Sequence, residues 1–502
     1  MQKNEQDFLE QVVVNIFNTK VINNFIAGHE CEAASRNKFE KLNPVDGKLL
    51  FQVACSDYKD IGEAVDSAKI AQPGWADTPP VKRGDVLHQI VSQMKQRRNE
   101  IAEIVAKETG KSFKDALGET DGAIALGLFY AGEGQRLYGR TTTSGTANKY
   151  AMTIRQPVGV AGLIIAANTP IANIAWKVFP ALICGNAAVL KAAEDTPATA
   201  WIFGKIAHEA GLPPGVFNIV QGLGEEAGAL LVEHPDVGVI SFTGSTKVGR
   251  FINRVAGDRL AKVSLELGGK NPLVVCDDAD IQSAVKWTLL SAFSNAGQRC
   301  ASCSRIIVFD AIYDKFRAML VAGTNKLKVG PTDADDLGPV INEKQLKNMM
   351  TAVKQAQDNG AVILAGGDRL TGPGHVNGYF MAPTLIEKVA PSDEISRTEL
   401  FGPIACLYRV SGFDEALALA NDSPYGLTAC IHTKNIHRAI QFTQKAQAGV
   451  VVVNAGTFGS EPHMPFGGVK QSGNGSREPG TEALDVYSEL KDVYINIDSG
   501  QF

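Results

Sequence analysis

The chain has no excess of positive charge, no apolar run long enough to cross a bilayer, and too few cysteines to staple a fold. A formal net charge of -5 leaves no global basic field for phosphate backbones or anionic lipid, which sets aside nucleic acid and membrane partners. The longest uncharged apolar stretch, Val158 to Ala167, is roughly half the ~20 residues of a spanning helix and reads as a buried strand. The opening segment MQKNEQDFLEQ lacks the basic, apolar and small-residue order of an export signal and reads as a frayed amphipathic helix, so a cytoplasmic location is expected. Eight cysteines among 502 residues suit a reducing compartment and free core thiols. The one CxxC, Cys300 to Cys303, has no second pair or HxxxH partner, so no metal site is expected, and a redox dithiol remains as the weaker alternative. Solenoid repeats and low-complexity tracts are absent as well.

What is present is an ordinary globular composition, 44% hydrophobic and 21% charged, with 50 glycines for strand-to-helix turns. At this length two large domains are expected. From Val158 to Leu267, short apolar runs (VGVAGLIIAA, AAVLK, VFNIV, VGVISF) alternate with segments of helical period, the pattern of βαβ units on a parallel sheet. Thr196 before Pro197 reads as an N-cap followed by proline at the first helical position. A second alternating series begins at NPLVVCD and continues through helices at Ile281 to Asn295 and Ile312 to Leu327 into the strand AVILAGG. The polar GRTTTSGTANKY and the C-terminal LKDVYINI suit exposed strands able to pair as a protruding sheet, or surface loops.

Three segments carry chemistry. In FSNAGQRCASCSR, Cys300 follows a glycine-containing turn, and Arg299 beside it is a source of positive charge able to lower a thiol pKa, unless its side chain points away. In VSLELGGKNP an apolar strand carries Glu266 into a Gly268-Gly269 turn, where a raised carboxyl pKa would suit a general base. In SFTGSTKVGR a strand meets Gly244 and a helix begins near Ser245, offering backbone N–H groups to an anion. The spacing Gly244 to Gly249 departs from GxGxxG, and GLGEEAG at Gly222 to Gly228 reads as a strand-to-helix loop. Taken singly, Cys300 also fits an inert buried thiol, and Glu266 a strand-end glutamate.

FSNAGQRC, LELGGKNP, FTGSTKVG, ELFGP and PFGGVKQSG stand in the order found in the NAD(P)-dependent aldehyde dehydrogenase superfamily, which the chain resembles from about Asn43 to Asn496. The resemblance implies an α/β fold: a Rossmann-like NAD-binding domain (20–130 and 150–265), a second α/β catalytic domain (266–460) and a small β oligomerisation element (131–149 and 478–498). It implies that Cys300 attacks the aldehyde carbon, that Asn168 in AANTP stabilises the oxyanion, that Glu266 activates water against a thioester, and that Lys177 stands behind Asn168 and Glu266 unless it is a solvated helix lysine. For the cofactor it implies Lys191 and Glu194 at the adenosine ribose, Gly244, Ser245 and Gly249 on the pyrophosphate side, and Glu399 with Phe401 at the nicotinamide ribose. A carboxylate at Glu194 would repel a 2'-phosphate, so NAD is expected over NADP. Members form homodimers or homotetramers, which the resemblance extends to this chain.

Two departures stand out. Ala166-Ala167-Asn168-Thr169-Pro170 replaces Pro-Trp-Asn-Phe-Pro, which implies a roomier aldehyde channel, and Lys191-Ala192-Ala193-Glu194 lacks the usual proline. Arg299, Phe293, Thr457, Phe458, Glu461 and His463 fall in segments that line the channel in relatives. Arg299 or His463 could bind a carboxylate, and HMPFGG resembles the segment of α-ketoglutaric semialdehyde dehydrogenases. The rival readings are a CoA-acylating dehydrogenase, which Glu266 opposes, a cysteine hydrolase, and a non-catalytic binding protein on the same fold.

Overall fold

The computed structural model describes residues 21–497, so the N-terminal segment read as a frayed helix lies outside the described residues. The aliphatic runs form strands buried along their whole length at Val160–Ile164, Ala187–Lys191 and Phe217–Val220, as strands covered on both faces must be. Alternate residues of Ala187–Lys191 divide between two cores. Ala188 and Leu190 join Phe179 of helix Pro170–Ile183 and Phe203 of helix Pro197–Glu209. Ala187 and Val189 join Ile61 of helix Tyr58–Asp77 and Ile252 of helix Thr246–Asp258.

These strands belong to a seven-stranded sheet ordered Lys262–Glu266, Val237–Thr243, Val160–Ile164, Ala187–Lys191, Phe217–Val220, Asn24–Ile26, His29–Cys31. The first five are parallel, and the last two join by antiparallel pairing. The parallel part starts at Val160–Ile164, moves outward through two strands, then returns to Val237–Thr243 on the other flank. That reversal opens a crevice beyond the carboxyl ends of these two strands, the place where ligands bind in open α/β sheets.

A second seven-stranded sheet runs Val362–Ala365, Thr384–Glu387, Ile404–Val410, Cys303–Phe309, Asn271–Val275, Thr428–His432, Val450–Val453, with only the first strand antiparallel. The helices expected beside it are Ile281–Phe293 and Asp310–Thr324. A third sheet pairs Ser488–Asn496 with Lys149–Pro157, which also holds Thr141–Thr143. The two distant polar stretches therefore do pair. The long partner strand starts at Lys149, however, because the threonine-rich segment contributes only Thr141–Thr143 and the turn. One capping expectation is corrected. Pro197 opens its helix, but the Thr196 side chain makes no capping bond. The Glu108 carboxylate does that work, accepting from the Ala198 and Thr199 N–H groups at 2.7 and 2.9 Å. Among the described residues no helix is long and apolar enough to cross a membrane.

Candidate active site

Past helix Ile281–Phe293 the backbone turns through Asn295, Ala296 and Gly297 with φ of 54°, 53° and 66°. Two consecutive non-glycine residues in the left-handed region are strained, and such strain persists only where the surroundings enforce it. Gln298 enforces it here: its Nε2 donates to the Asn295 and Pro339 carbonyls (3.3 and 3.2 Å) and its Oε1 accepts from Ile341 N–H (2.9 Å). Asn271 Nδ2 then holds the Cys300 and Ser302 carbonyls at 2.7 and 2.9 Å. The half-buried Cys300 thus packs in an apolar cluster of Ala301, Leu427 and Phe466 with Trp176, Val450 and Phe458.

Burial pushes the Cys300 thiol up to about 12, helped by the charges of Glu399 and Glu266 and opposed by the N–H groups of Ala301 and Cys300. The charges of Arg299 and Cys300 do interact, but burial and the two carboxylates outweigh the guanidinium, whose side chain has other partners. The guanidinium donates to Ser294 Oγ at 2.5 Å and lies 4.9 Å over the Phe458 ring.

Glu266 ends the strand Lys262–Glu266, where its carbonyl accepts from Gly244 N–H at 3.0 Å and the following Leu267 N–H donates to Ser472 at 3.0 Å. Its carboxyl group is buried, and neither oxygen has a hydrogen-bond partner among the described residues. Burial raises its pKa well above the carboxylate range, the Glu478 charge adds to the rise, and Lys177 and Arg477 oppose it. Gly467 explains the FGG spacing: its φ is 146°, and a Cβ there would stand 2.8 Å from Glu266 Oε1.

Lys177 is no solvated helix lysine. It is fully buried, with Nζ 2.8 Å from Glu478 Oε2 and 2.7 Å from Ser241 Oγ, while the Tyr487 hydroxyl donates to Glu478 Oε1 at 2.8 Å. Sequence reasoning missed Glu478, and the signal that points to it is the need of any buried lysine for a carboxylate. Asn168 follows strand Val160–Ile164 at the sheet's crevice, and its Nδ2 donates to the Gln298 carbonyl at 3.0 Å. The two segments expected to share the oxyanion are therefore joined directly.

The remaining expected residues divide. Lys191 and Glu194 form an ion pair at 2.8 Å beyond the carboxyl end of Ala187–Lys191. Ser245 caps Thr246–Asp258, its Oγ accepting from Val248 N–H at 3.4 Å. Gly249 allows close packing, since a Cβ there would meet Leu267 Cδ2 at 2.5 Å, and the Gly244 N–H is already engaged by Glu266. Burial raises Glu399 to about 7 against the pull of Gly269 N–H and Lys270, and its Oε1 accepts that N–H at 2.9 Å. Phe401 beside it holds a φ of 54°.

The residues expected along the channel have different settings. Phe293 is 1% exposed and packs in the second sheet's core with Ala292 and Cys303, because it lies on the inner face of its helix. His463 is 59% exposed and lies 3.6 Å from Glu461. Thr457 Oγ1 donates to the Ala301 carbonyl at 2.6 Å, next to Cys300. Trp176 and Phe466, 5.3 Å apart edge to face, pack with Cys300 in one apolar cluster, and sequence reasoning did not single them out.

Residues 31–493 match the aldehyde dehydrogenase family model. The α-ketoglutaric semialdehyde dehydrogenase of Bacillus subtilis (strain 168) is 38% identical over 475 residues, covering 94% of this chain and 97% of its own. Human retinaldehyde dehydrogenase 3 is 36% identical over 480 residues, covering 94% and 92%. Among solved structures, betaine aldehyde dehydrogenase of Staphylococcus aureus in complex with NAD+ superposes with a TM-score of 0.94 at 31% identity, covering 97% of this chain and 98% of that one.

Proposed function

The chain belongs to the aldehyde dehydrogenase family, and from that premise we propose that Cys300, Asn168 and Glu266 oxidise an aldehyde to its carboxylic acid in two stages with NAD. The observation that carries this reading is the meeting, at one apolar cluster, of a thiol whose pKa feels Glu266 and an amide bonded to the thiol's own loop. The Cys300 sulfur adds to the carbonyl carbon as thiolate, because the thiol is a poor nucleophile. The Asn168 amide and the Cys300 N–H take the negative oxygen, a role in which one donor is worth about 10²–10³ in rate. Glu266, deprotonated for the second stage, takes a proton from water as it attacks the Cys300 thioester and frees the acid.

The cofactor fits the crevice. A serine-capped helix start faces it beside Glu266, and the Lys191–Glu194 pair offers both donor and acceptor to ribose hydroxyls. When bound, NAD supplies the hydride acceptor that makes the first stage an oxidation. Glu194 would repel a 2'-phosphate, which favours NAD over NADP. The relative from S. aureus was solved with NAD+, in keeping with that choice. The substrate is a semialdehyde with a carboxylate at its far end. Arg299 is a half-buried guanidinium next to the nucleophile that forms no ion pair among the described residues, and the B. subtilis relative is named for such a substrate. The molecule works in the cytoplasm as a homodimer or homotetramer built through the third sheet, whose exposed Tyr150, Ile154 and Ile495 form an apolar patch.

Initial rates with NAD and no CoA test this reading. A carboxylated semialdehyde should exceed its uncharged homologue in kcat/KM by about 10- to 100-fold, the worth of one charge-assisted hydrogen bond, and Arg299→Leu should erase the difference. Equal rates would remove the semialdehyde. Absolute dependence on CoA would replace water by a thiol as the acyl acceptor.

A further inference from the structure

The loop carrying Asn168 is gripped by two groups that take no part in the chemistry above. Lys111 lies between helices Arg98–Thr109 and Phe113–Glu133, and Glu119 lies on the second. Their side chains are 5% and 6% exposed, with Nζ 2.7 Å from Oε2. A buried ion pair by itself adds little net stability, because desolvation offsets the attraction. What distinguishes this pair is where its remaining hydrogen bonds go. Lys111 Nζ donates to the Asn168 carbonyl at 2.8 Å. Glu119 Oε1 accepts from Ile171 and Ala172 N–H at 3.0 and 3.4 Å, the first turn of helix Pro170–Ile183, whose N-cap Thr169 makes no side-chain cap. One pair thus holds the carbonyl of Asn168 and the helix start that follows it.

On the other side, Asn168 Nδ2 reaches the Gln298 carbonyl at 3.0 Å, on the loop that ends at Cys300. A primary amide has two N–H groups, so this bond sets the plane of the amide and leaves one N–H for a ligand. The chain at Ala166 and Ala167 offers only small side chains to brace the loop. Asn295 Nδ2 also reaches the Asn168 carbonyl, but at 3.5 Å against 2.8 Å for Lys111 Nζ, so the buried pair is the closer brace on the loop.

We propose that Lys111 and Glu119 are positioning residues for oxyanion stabilisation, acting only through Asn168. The inference rests on the Asn168 role given under the proposed function. A misplacement of about 1 Å can cost about 10² in rate when geometry carries the catalysis.

The test is the pre-steady-state NADH burst of Lys111→Met, Glu119→Gln and Asn168→Ala, and of each of the first two combined with Asn168→Ala. Lys111→Arg and the KM for NAD are measured beside them. Lys111→Met and Glu119→Gln should slow the burst by about 10²-fold with the KM for NAD unchanged, and should slow it no further once Asn168 is alanine. Lys111→Arg should recover part of the loss. A burst at the wild-type rate in Lys111→Met or Glu119→Gln, with Asn168→Ala slow, overturns the positioning role alone, and so do equal losses in both backgrounds. A burst at the wild-type rate in Asn168→Ala overturns the oxyanion reading, and the inference with it.

Discussion

At the scale of residues, the site is organised by burial of groups that must change charge. Cys300 is pushed up to about 12, and Glu266 well above the usual carboxylate range, by the same dry surroundings. Both shifts favour the protonated form, and each group must lose its proton to act. Glu399 contributes to the first of these shifts through its negative charge. Removing that charge should therefore lower the thiol pKa. With NAD saturating, Glu399→Gln is expected to move the pH profile of the NADH burst toward lower pH, measured by stopped flow. An unchanged or upward-moving profile contradicts the electrostatic account. Cys300 and Glu266 were read from the ordered motifs FSNAGQRC and LELGGKNP, and Asn168 from AANTP, because each lies in a short local pattern. Glu478 was not, because it lies 301 positions from the lysine it pairs with, and no local pattern joins them. Arg299 was legible as a charge next to Cys300, but its direction depends on Ser294 and on the face of Phe458.

At the scale of elements, the parallel strands were legible because burial on both faces writes continuous aliphatic runs into the chain, as at Ala187–Lys191. Helix starts were legible where the signal is local: Pro197 opens one helix and Ser245 caps another. The cap that Glu108 supplies to Pro197–Glu209 was not, since it comes from 90 residues away. The burial of Phe293 was not legible for a related reason, because helical period alone does not say which face meets the core. Gly249 shows how one position couples helix to strand. A methyl group there would meet Leu267 at 2.5 Å, one residue beyond Glu266. Overpacking of this kind costs about 1–3 kcal/mol. Gly249→Ala is expected to lower the thermal midpoint and to raise the KM for NAD, as the Ser245 helix start is displaced. Calorimetry and steady-state kinetics check the two effects, and a variant with wild-type values for both would show that the contact is slack.

At the scale of the whole molecule, two mostly parallel sheets carry the site, and the third sheet mixes polar and apolar residues on exposed strands. In that sheet Ile495 lies opposite Tyr150, and Ile154 is on the same strand as Tyr150 at an even spacing, so the three share a face. They are 47%, 59% and 44% exposed in the single chain, which a monomer in water would not favour. Sedimentation should find the wild-type protein oligomeric and the Ile154→Lys/Ile495→Lys variant dissociated. A variant of unchanged mass would place the interface elsewhere. The most direct test of the central claim, capture of the aldehyde by one sulfur and release by one carboxylate, is intact-protein mass spectrometry of Glu266→Gln mixed with NAD and aldehyde. The account predicts about one NADH per subunit in a burst and an acyl mass that maps to Cys300 and persists. A protein that turns over steadily with no adduct, or carries the acyl group on another residue, would contradict it.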